Sequence, residues 1–448
     1  MASFNARRQD HWRYGAVYER LVPGIVERAS WPAERMAEHR DEQLRKMIRH
    51  AAHYVPYYRK LFADHGIDPD GIRTVEDLRR IPILDKETVR KEAVSFVDET
   101  LDRGKLWAGH TSGTTGKSLD LYRSREVASA AFAYMDMRRF MMGGMRRRKD
   151  RSVCIGVYQV CRPKATKPPF WVVNRHWDQM YMSCYHLSPE NLPHYVKALR
   201  DWRPKYFSGY PSAMYAIARF IVDSEEEPVP IEVCYSTAET LYDFQRKTIE
   251  KAFNCRVYNQ YGCGEMIGFA MECPKGEMHL SPDYGVIEIC DENGEPLPAG
   301  QTGHIIGTTL LNFSQPFIRY RVGDMGTLKE GACACGSPLP LLGGVEGRID
   351  DSLILKDGRY VGRLDTVFKD THEIVEAQIV QDTPENIRIR VVPGKQYTPQ
   401  VGARAKANLE QYIGTGHKIT VETVSSIERT AAGKYKVIVC NLPPEQRR

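Results

Sequence analysis

A chain of 448 residues is too long for one compact core, so two or more domains are expected. Its 42% hydrophobic and 27% charged residues are those of an ordinary globular protein, and no run approaches the ~20 apolar residues of a membrane span. The balance of 63 basic and 57 acidic residues leaves a net charge of only +6, which suits anionic small ligands; the one dense basic run, Arg146-Arg147-Arg148-Lys149, is short, lacks interleaved aromatics and reads as a solvated turn, so nucleic acid is not indicated.

The opening stretch, Met1 to Asp10, is polar and lacks an apolar signal core, so export is not expected. The eleven cysteines, an odd number scattered through a long chain, read as cytosolic thiols, and the expected location is cytoplasmic. Residues 11–105 are expected to be mostly helical. Apolar positions at helical spacing (Leu44, Met47, Ile48, Ala51, Ala52, Val55) predict a helix over Arg40 to Val55 that Pro56 stops, and Leu78 to Ile83 reads as a turn. From 106 to 348 strand-like runs (Ser152 to Val157, Tyr206 to Ser208, Glu232 to Tyr235, Arg256 to Tyr258, Gly285 to Ile289, Gly303 to Thr309) alternate with helix candidates such as Pro211 to Ser224 and Leu241 to Phe253. That alternation predicts an α/β core with substantial parallel sheet. Beyond residue 348 the pattern changes to short strands (Glu376 to Gln381, Asn386 to Val392, Lys418 to Val424) and one helix, Pro399 to Ile413. This is a small α+β domain, so the expected division is 1–348 and 349–448.

The sharpest local signal is His110-Thr111-Ser112-Gly113-Thr114-Thr115-Gly116-Lys117-Ser118, set between Leu106-Trp107-Ala108 and the strand-like Leu119 to Tyr122. Glycines let backbone N–H groups approach a polyanion, while hydroxyls and a lysine add donors and charge. A Walker A loop would need glycine where Thr111 stands and a helix to follow, so a P-loop NTPase is disfavoured; a polar surface turn is the plain alternative.

This loop resembles that of the acyl-adenylate-forming superfamily (acyl-CoA synthetases, adenylation domains, luciferase), and most of all the branch of phenylacetate-CoA ligases and capsule-biosynthesis proteins similar to them. Further segments match the family in order. Tyr261-Gly262-Cys263-Gly264-Glu265 resembles Tyr-Gly-x-Ser/Thr-Glu, Tyr320-Arg321-Val322-Gly323-Asp324 the Tyr-Arg-x-Gly-Asp motif, Gly347-Arg348-Ile349-Asp350 the interdomain hinge, and Arg429-Thr430-Ala431-Ala432-Gly433-Lys434 the terminal lysine motif. Ser208-Gly209-Tyr210-Pro211-Ser212 and Ser236-Thr237-Ala238-Glu239 are softer matches, and the likeness runs over roughly residues 40–440. The chain departs from the pattern at Ser118 and Glu428, each in place of proline, and at Gly264, in place of a hydroxyl that contacts the α-phosphate.

The resemblance implies a large N-terminal adenylation domain of layered β-sheets and helices, hinged to the small α+β domain. Thr111 to Lys117, Ala238, Glu239, Tyr261, Gly262, Asp324 and Arg348 would hold ATP, with Asp324 accepting from the ribose hydroxyls. Glu265 would hold Mg²⁺, a hard ion that needs oxygen ligands. Tyr210 and Pro211 would line the acid pocket, which the aromatics Trp171, Trp177, Tyr181, Tyr185 and Phe207 join unless they are core. Lys434 would stabilise charge during adenylation, and Asp350 would be the pivot. The implied reaction converts a carboxylic acid to acyl-AMP with release of pyrophosphate, then passes the acyl group to a thiol, coenzyme A being the expected acceptor and an aromatic acid the preferred substrate. An amine acceptor, AMP transfer to a hydroxyl, and a non-catalytic nucleotide-binding protein are the alternatives; a homodimer is left open.

One cluster stands apart from these motifs. Cys273-Pro-Lys-Gly-Glu-Met-His279 and Cys333-Ala-Cys335-Gly336 offer three thiols and an imidazole, a closed Cys₃His set of the kind that holds structural zinc; unconnected thiols are the alternative.

Overall fold

The computed structural model describes residues 10, 13–110, 119–156, 160–162, 165–348, 353–355, 360–361, 364–368, 371, 373–414, 416–429 and 435–443. It divides into two compact units, one of Met1–Leu241, Gln245–Val322 and Gly326–Val345, the other of Tyr242–Phe244, Gly323–Met325 and Glu346–Arg448. Both are mixed α/β, with a large sheet in the first. No helix among the described residues is long and apolar enough to cross a membrane.

The N-terminal region is helical. Ala33–Tyr54 begins before the predicted Arg40 and buries Met36 together with Leu44, Met47, Ile48 and Ala51 of the predicted stripe. Pro56 does more than stop that helix: it takes the first turn of a second, Pro56–Asp64, where its missing N–H needs no partner. The expected turn at Leu78 to Ile83 begins inside a short 3₁₀ helix, Val75–Arg80. There Thr74 and Asp77 form a reciprocal cap that makes the tighter winding stable. The basic run is corrected too. Arg147 turns inward and donates to the Tyr14 hydroxyl (2.9 Å) and to Gln179 Oε1 (3.0 Å), because the N-terminal segment packs over it; Arg146, Arg148 and Lys149 are exposed.

Twelve strands form one sheet, in spatial order Gly285–Cys290, Thr302–Thr309, Tyr320–Lys329, Leu341–Arg348, Met278–Leu280, Phe269–Glu272, Arg256–Gly262, Val233–Ser236, Tyr206–Gly209, Ser152–Ile155, Gln179–Met182 and Trp171–Asn174. From Arg256 through Gln179 the neighbouring pairs run parallel. Tyr206–Gly209 and Val233–Ser236, in the middle of this set, are short runs buried at every position, as parallel strands under helices must be. Pro211–Asp223 and Asp243–Phe253 are the helices between them, and Phe253 meets Phe207 edge to face at 5.6 Å.

The second unit carries a four-stranded sheet, in order Lys418–Thr423, Asn386–Pro393, Ile374–Gln381 and Ile438–Cys440. Its helix is Pro399–Ile413, as the sequence predicts; it starts on a proline, and Gly414 caps its end. Ile379, Ile387, Ile389, Val391, Ala405 and Leu409 make its separate core.

Candidate functional site

Short parallel strands have a consequence for where a ligand can sit: the crevice lies beyond their carboxyl ends. Three of the sequence motifs fall there, on adjacent strands. Gly209-Tyr210-Pro211 leaves Tyr206–Gly209, Thr237-Ala238-Glu239 leaves Val233–Ser236, and Tyr261 to Glu265 closes Arg256–Gly262. They are tied together: Thr237 N–H donates to the Gly209 carbonyl (3.1 Å), and Ser212 N–H to Glu239 Oε2 (3.2 Å). Gln260 Nε2 reaches Thr237 Oγ1 at 3.5 Å.

The backbone here is held away from relaxed geometry. Ala238 (φ 69°) and Met266 (φ 60°) both occupy the left-handed region, which costs a residue with a Cβ on the order of 1–3 kcal/mol. Such strain collects where a loop is shaped for a ligand. Gly209 (φ 154°) must be glycine, since a Cβ would stand 2.0 Å from the Ile155 carbonyl oxygen. Gly156 (φ 125°) lets the Tyr210 ring lie against the neighbouring strand, where a Cβ would meet the ring at 2.6 Å. Burial pushes the Tyr210 phenol above its ordinary pKa, so it stays neutral.

Glu265 is buried, and its Oε1 accepts from the Tyr320 hydroxyl at 3.2 Å. A carboxylate fixed by one neutral donor, with its other oxygen able to accept, is the chemistry a hard divalent cation needs. Asp324 follows Gly323 (φ 91°) within Tyr320–Lys329, and Arg348 ends Leu341–Arg348. Thr111, Ser112, Gly113, Thr114, Thr115, Gly116, Lys117, Asp350 and Lys434 lie outside the described residues. The strands flanking the first of these segments, Trp107–His110 and Asp120–Arg123, pair as an antiparallel hairpin. Buried Gln315 holds that hairpin: its Oε1 accepts from Tyr122 N–H (2.9 Å), while its amide donates to the carbonyls of Asp120 and Ala93 (both 3.3 Å). No motif marks Gln315 in the sequence; a polar run, Asn312-Phe313-Ser314-Gln315, amid apolar strands is the only trace.

Two of the aromatics considered for the acid pocket are core. Phe207 packs on Phe253, and Trp177 donates to Asp10 Oδ1 (2.8 Å) while meeting Tyr14 edge-on. Trp171 lies against Tyr195, and Tyr185 is exposed.

The cysteine–histidine set does come together. The ligand atoms of Cys273, His279, Cys333 and Cys335 all lie within 4.8 Å of one another. Cys273 and Cys333 Sγ are 3.6 Å apart, and Cys335 Sγ is 3.3 Å from His279 Nε2. Tetrahedral zinc with ordinary bond lengths sets sulfurs about 3.8 Å apart and sulfur–nitrogen about 3.5 Å, so the donor set fits. Both loops turn on a left-handed glycine, Gly276 (φ 83°) and Gly336 (φ 79°), and the amides of Lys275, Cys335 and Ser337 point at sulfurs of Cys273, Cys333 and Cys335 (3.3, 3.4 and 3.5 Å). Burial opposes charge on Cys333, yet the Cys335 amide and the neighbouring thiols outweigh it and lower its pKa. His279 Nδ1 bonds the Leu339 carbonyl (3.1 Å), leaving Nε2 as the electron-pair donor, and burial favours the neutral ring.

Comparisons with known proteins agree with this architecture. A family model described as the CapK C-terminal domain matches residues 353–441. Protein CapK of Staphylococcus aureus is 29% identical over 403 residues, covering 86% of this chain and 85% of CapK. A phenylacetate-coenzyme A ligase of Thermus thermophilus is 27% identical, covering 91% of this chain and 97% of that enzyme. Among solved structures, 2-hydroxyisobutyryl-CoA ligase in the postadenylation state superposes with a TM-score of 0.75 at 20% identity, over 92% of this chain and 91% of that one. The chain is therefore a homologue of CapK and of the phenylacetate-coenzyme A ligases, built on the fold of the adenylate-forming ligases.

Proposed function

We propose that the protein activates a carboxylic acid with ATP, forming an acyl-AMP and pyrophosphate, and then transfers the acyl group to the thiol of coenzyme A. The observation that carries this reading is the convergence of Tyr210, Ala238-Glu239 and Tyr261 to Glu265 at the carboxyl ends of adjacent parallel strands, in a homologue of phenylacetate-coenzyme A ligases.

In the first half-reaction a carboxylate oxygen attacks the α-phosphorus and the bond to pyrophosphate breaks. Lys434, a mobile point charge, is the proposed partner of the charge that develops there, with Thr111 to Lys117 holding the departing phosphates. Mg²⁺, held by Glu265, would neutralise phosphate oxygens when bound. Tyr261 and Gly262 would lie along adenine, Asp324 and Arg348 would take the ribose, and Tyr210 with Pro211 would border the acid. In the second half the thiol attacks the acyl carbonyl and AMP leaves, with Asp350 as the pivot that withdraws Lys434. The buried aromatic ring of Tyr210 supports an aryl acid as the first choice of substrate. Structural zinc at Cys273, His279, Cys333 and Cys335 would fix the loop after Lys329 against the hairpin at Cys273; with every position filled by protein, it has no place for substrate.

The test is pyrophosphate release over aryl, fatty and amino acids, with and without coenzyme A. An acid-dependent signal with acyl-CoA as product is expected. Acid-dependent release with an amide product would replace the thiol acceptor, an adenylylated alcohol would replace the acyl transfer, and silence across the panel would leave a nucleotide-binding protein.

A further inference from the structure

The hairpin that brackets residues 111–118 ends at Arg123, a side chain no motif accounts for. It is half-buried, and burial works against its charge. Buried arginines are normally held by a carboxylate. Arg123 has no ion pair with any described carboxylate. One nitrogen, Nη2, donates to the main-chain carbonyl of Gly264; the guanidinium stands over the exposed Trp107 ring, 5.1 Å from its centre; and Nε is buried with no hydrogen-bond partner among the described residues. Glu265 is near enough for its charge to favour the cation, yet the two are not bonded.

A half-buried cation whose Nε is shielded from water and unspent, anchored to the residue before the proposed Mg²⁺ carboxylate, is a group arranged for an anion that arrives later. Gly264 stands where the resemblance expects a hydroxyl on the α-phosphate. We propose that Arg123 is a phosphate ligand in the adenylation step, donating to the phosphoryl group that the missing hydroxyl would otherwise contact. The inference rests on the adenylation reading of the site. Its anchor carbonyl and the indole fix the guanidinium plane, so little rotamer freedom is left to lose when the nucleotide binds.

The experiment compares the parent with R123M, R123K, G264T and the double variant R123M/G264T, measuring ATP and AMP binding by calorimetry, pyrophosphate release with the best acid of the panel, and thermal midpoints. R123M should lose about a hundredfold in kcat/KM for ATP, the usual effect of removing one oxyanion donor, with the midpoint unchanged. R123K should keep charge but lose the fork, and fall about tenfold. G264T restores a hydroxyl, so R123M/G264T should recover at least tenfold over R123M. A purely structural Arg123 would lower the midpoint and would not be rescued. Parent-level turnover in R123M overturns the inference, as does parent-level turnover in R123K if R123M does not fold. A parent that binds no adenine nucleotide overturns the adenylation reading itself, and this inference with it.

Discussion

The Cys/His cluster and the crevice beyond the parallel strands both draw on the run Arg256 to Leu280, Cys273 and His279 going to the one and Tyr261 to Glu265 to the other, and they are built on opposite principles. Around Cys273, His279, Cys333 and Cys335 each sulfur of known partnership meets a backbone amide and the imidazole has its carbonyl, so the donors face inward on one another. Around Glu265 the chain keeps a donor unspent and backbone strained: Arg123 Nε has no partner among the described residues, and Ala238 and Met266 sit at positive φ. A cluster that closes on itself stabilises a fold. A cluster left open awaits a ligand, and the strain there is sustained by the rigid sheet beneath. The two should respond to mutation in opposite ways, one in stability and the other in kinetics.

The largest effect is expected at Lys434. Lys434→Ala should lower pyrophosphate release at least a hundredfold, about 2.7 kcal/mol, and leave thioester formation from synthetic acyl-AMP intact. Unchanged release would remove Lys434 from the chemistry.

Next in size, Asp324→Ala should raise KM for ATP roughly tenfold with little change in kcat, because ribose hydrogen bonds are present in ground and transition states alike and a bond to a charged group is worth about 1.5–3 kcal/mol. The thermal midpoint should not move. Equal ATP affinity in calorimetry would rule out the ribose role, and a lowered midpoint would place Asp324 among the closed, structural residues instead.

Cys333→Ser reverses that pattern. The purified parent should carry about one zinc per chain by elemental analysis, and the variant should lose it, since binding energy at such a site is folding energy. The melting temperature should fall by several degrees, while catalysis at low temperature drops less than in either variant above. A zinc-free parent of full stability would return the four residues to ordinary thiols and a core histidine.

The sequence was most readable where one residue type has one job. Pro399 and Gly414 bracket their helix because proline fits only its first turn and glycine ends it cheaply. The cysteine set was readable because thiols beside turn glycines have few other uses. What local pattern could not supply was direction. Arg147 looks like any solvated arginine until Tyr14 and Gln179 arrive from distant segments to receive it. Gln315 and Arg123 act through main-chain carbonyls and amides, which leave no spacing to detect. The roles of Thr111 to Lys117, Asp350 and Lys434 rest on their motifs, and that of Lys434 also on the variant named for it.

The smallest expected effect tests the border between the closed and open regions. Phe207 within the strand Tyr206–Gly209 and Tyr210 just beyond its end are both nearly inaccessible (0% and 4% exposed), so burial alone does not separate core from pocket. Their neighbours do. Phe207 lies edge-on to Phe253 of the covering helix, whereas Tyr210 follows Gly209 and lies against Gly156, at the strand ends where Glu239 and Ser212 meet. Phe207→Leu is a shape change within a packed core and should cost on the order of 1–1.5 kcal/mol, a shift of a few degrees in melting temperature. The ranking of acids in the pyrophosphate assay should be that of the parent. Tyr210→Leu should do the reverse, reordering the acids with a smaller change in stability. If Phe207→Leu reorders the acids instead, the pocket extends beneath the strand, and the sheet at this point is part of the site rather than its support.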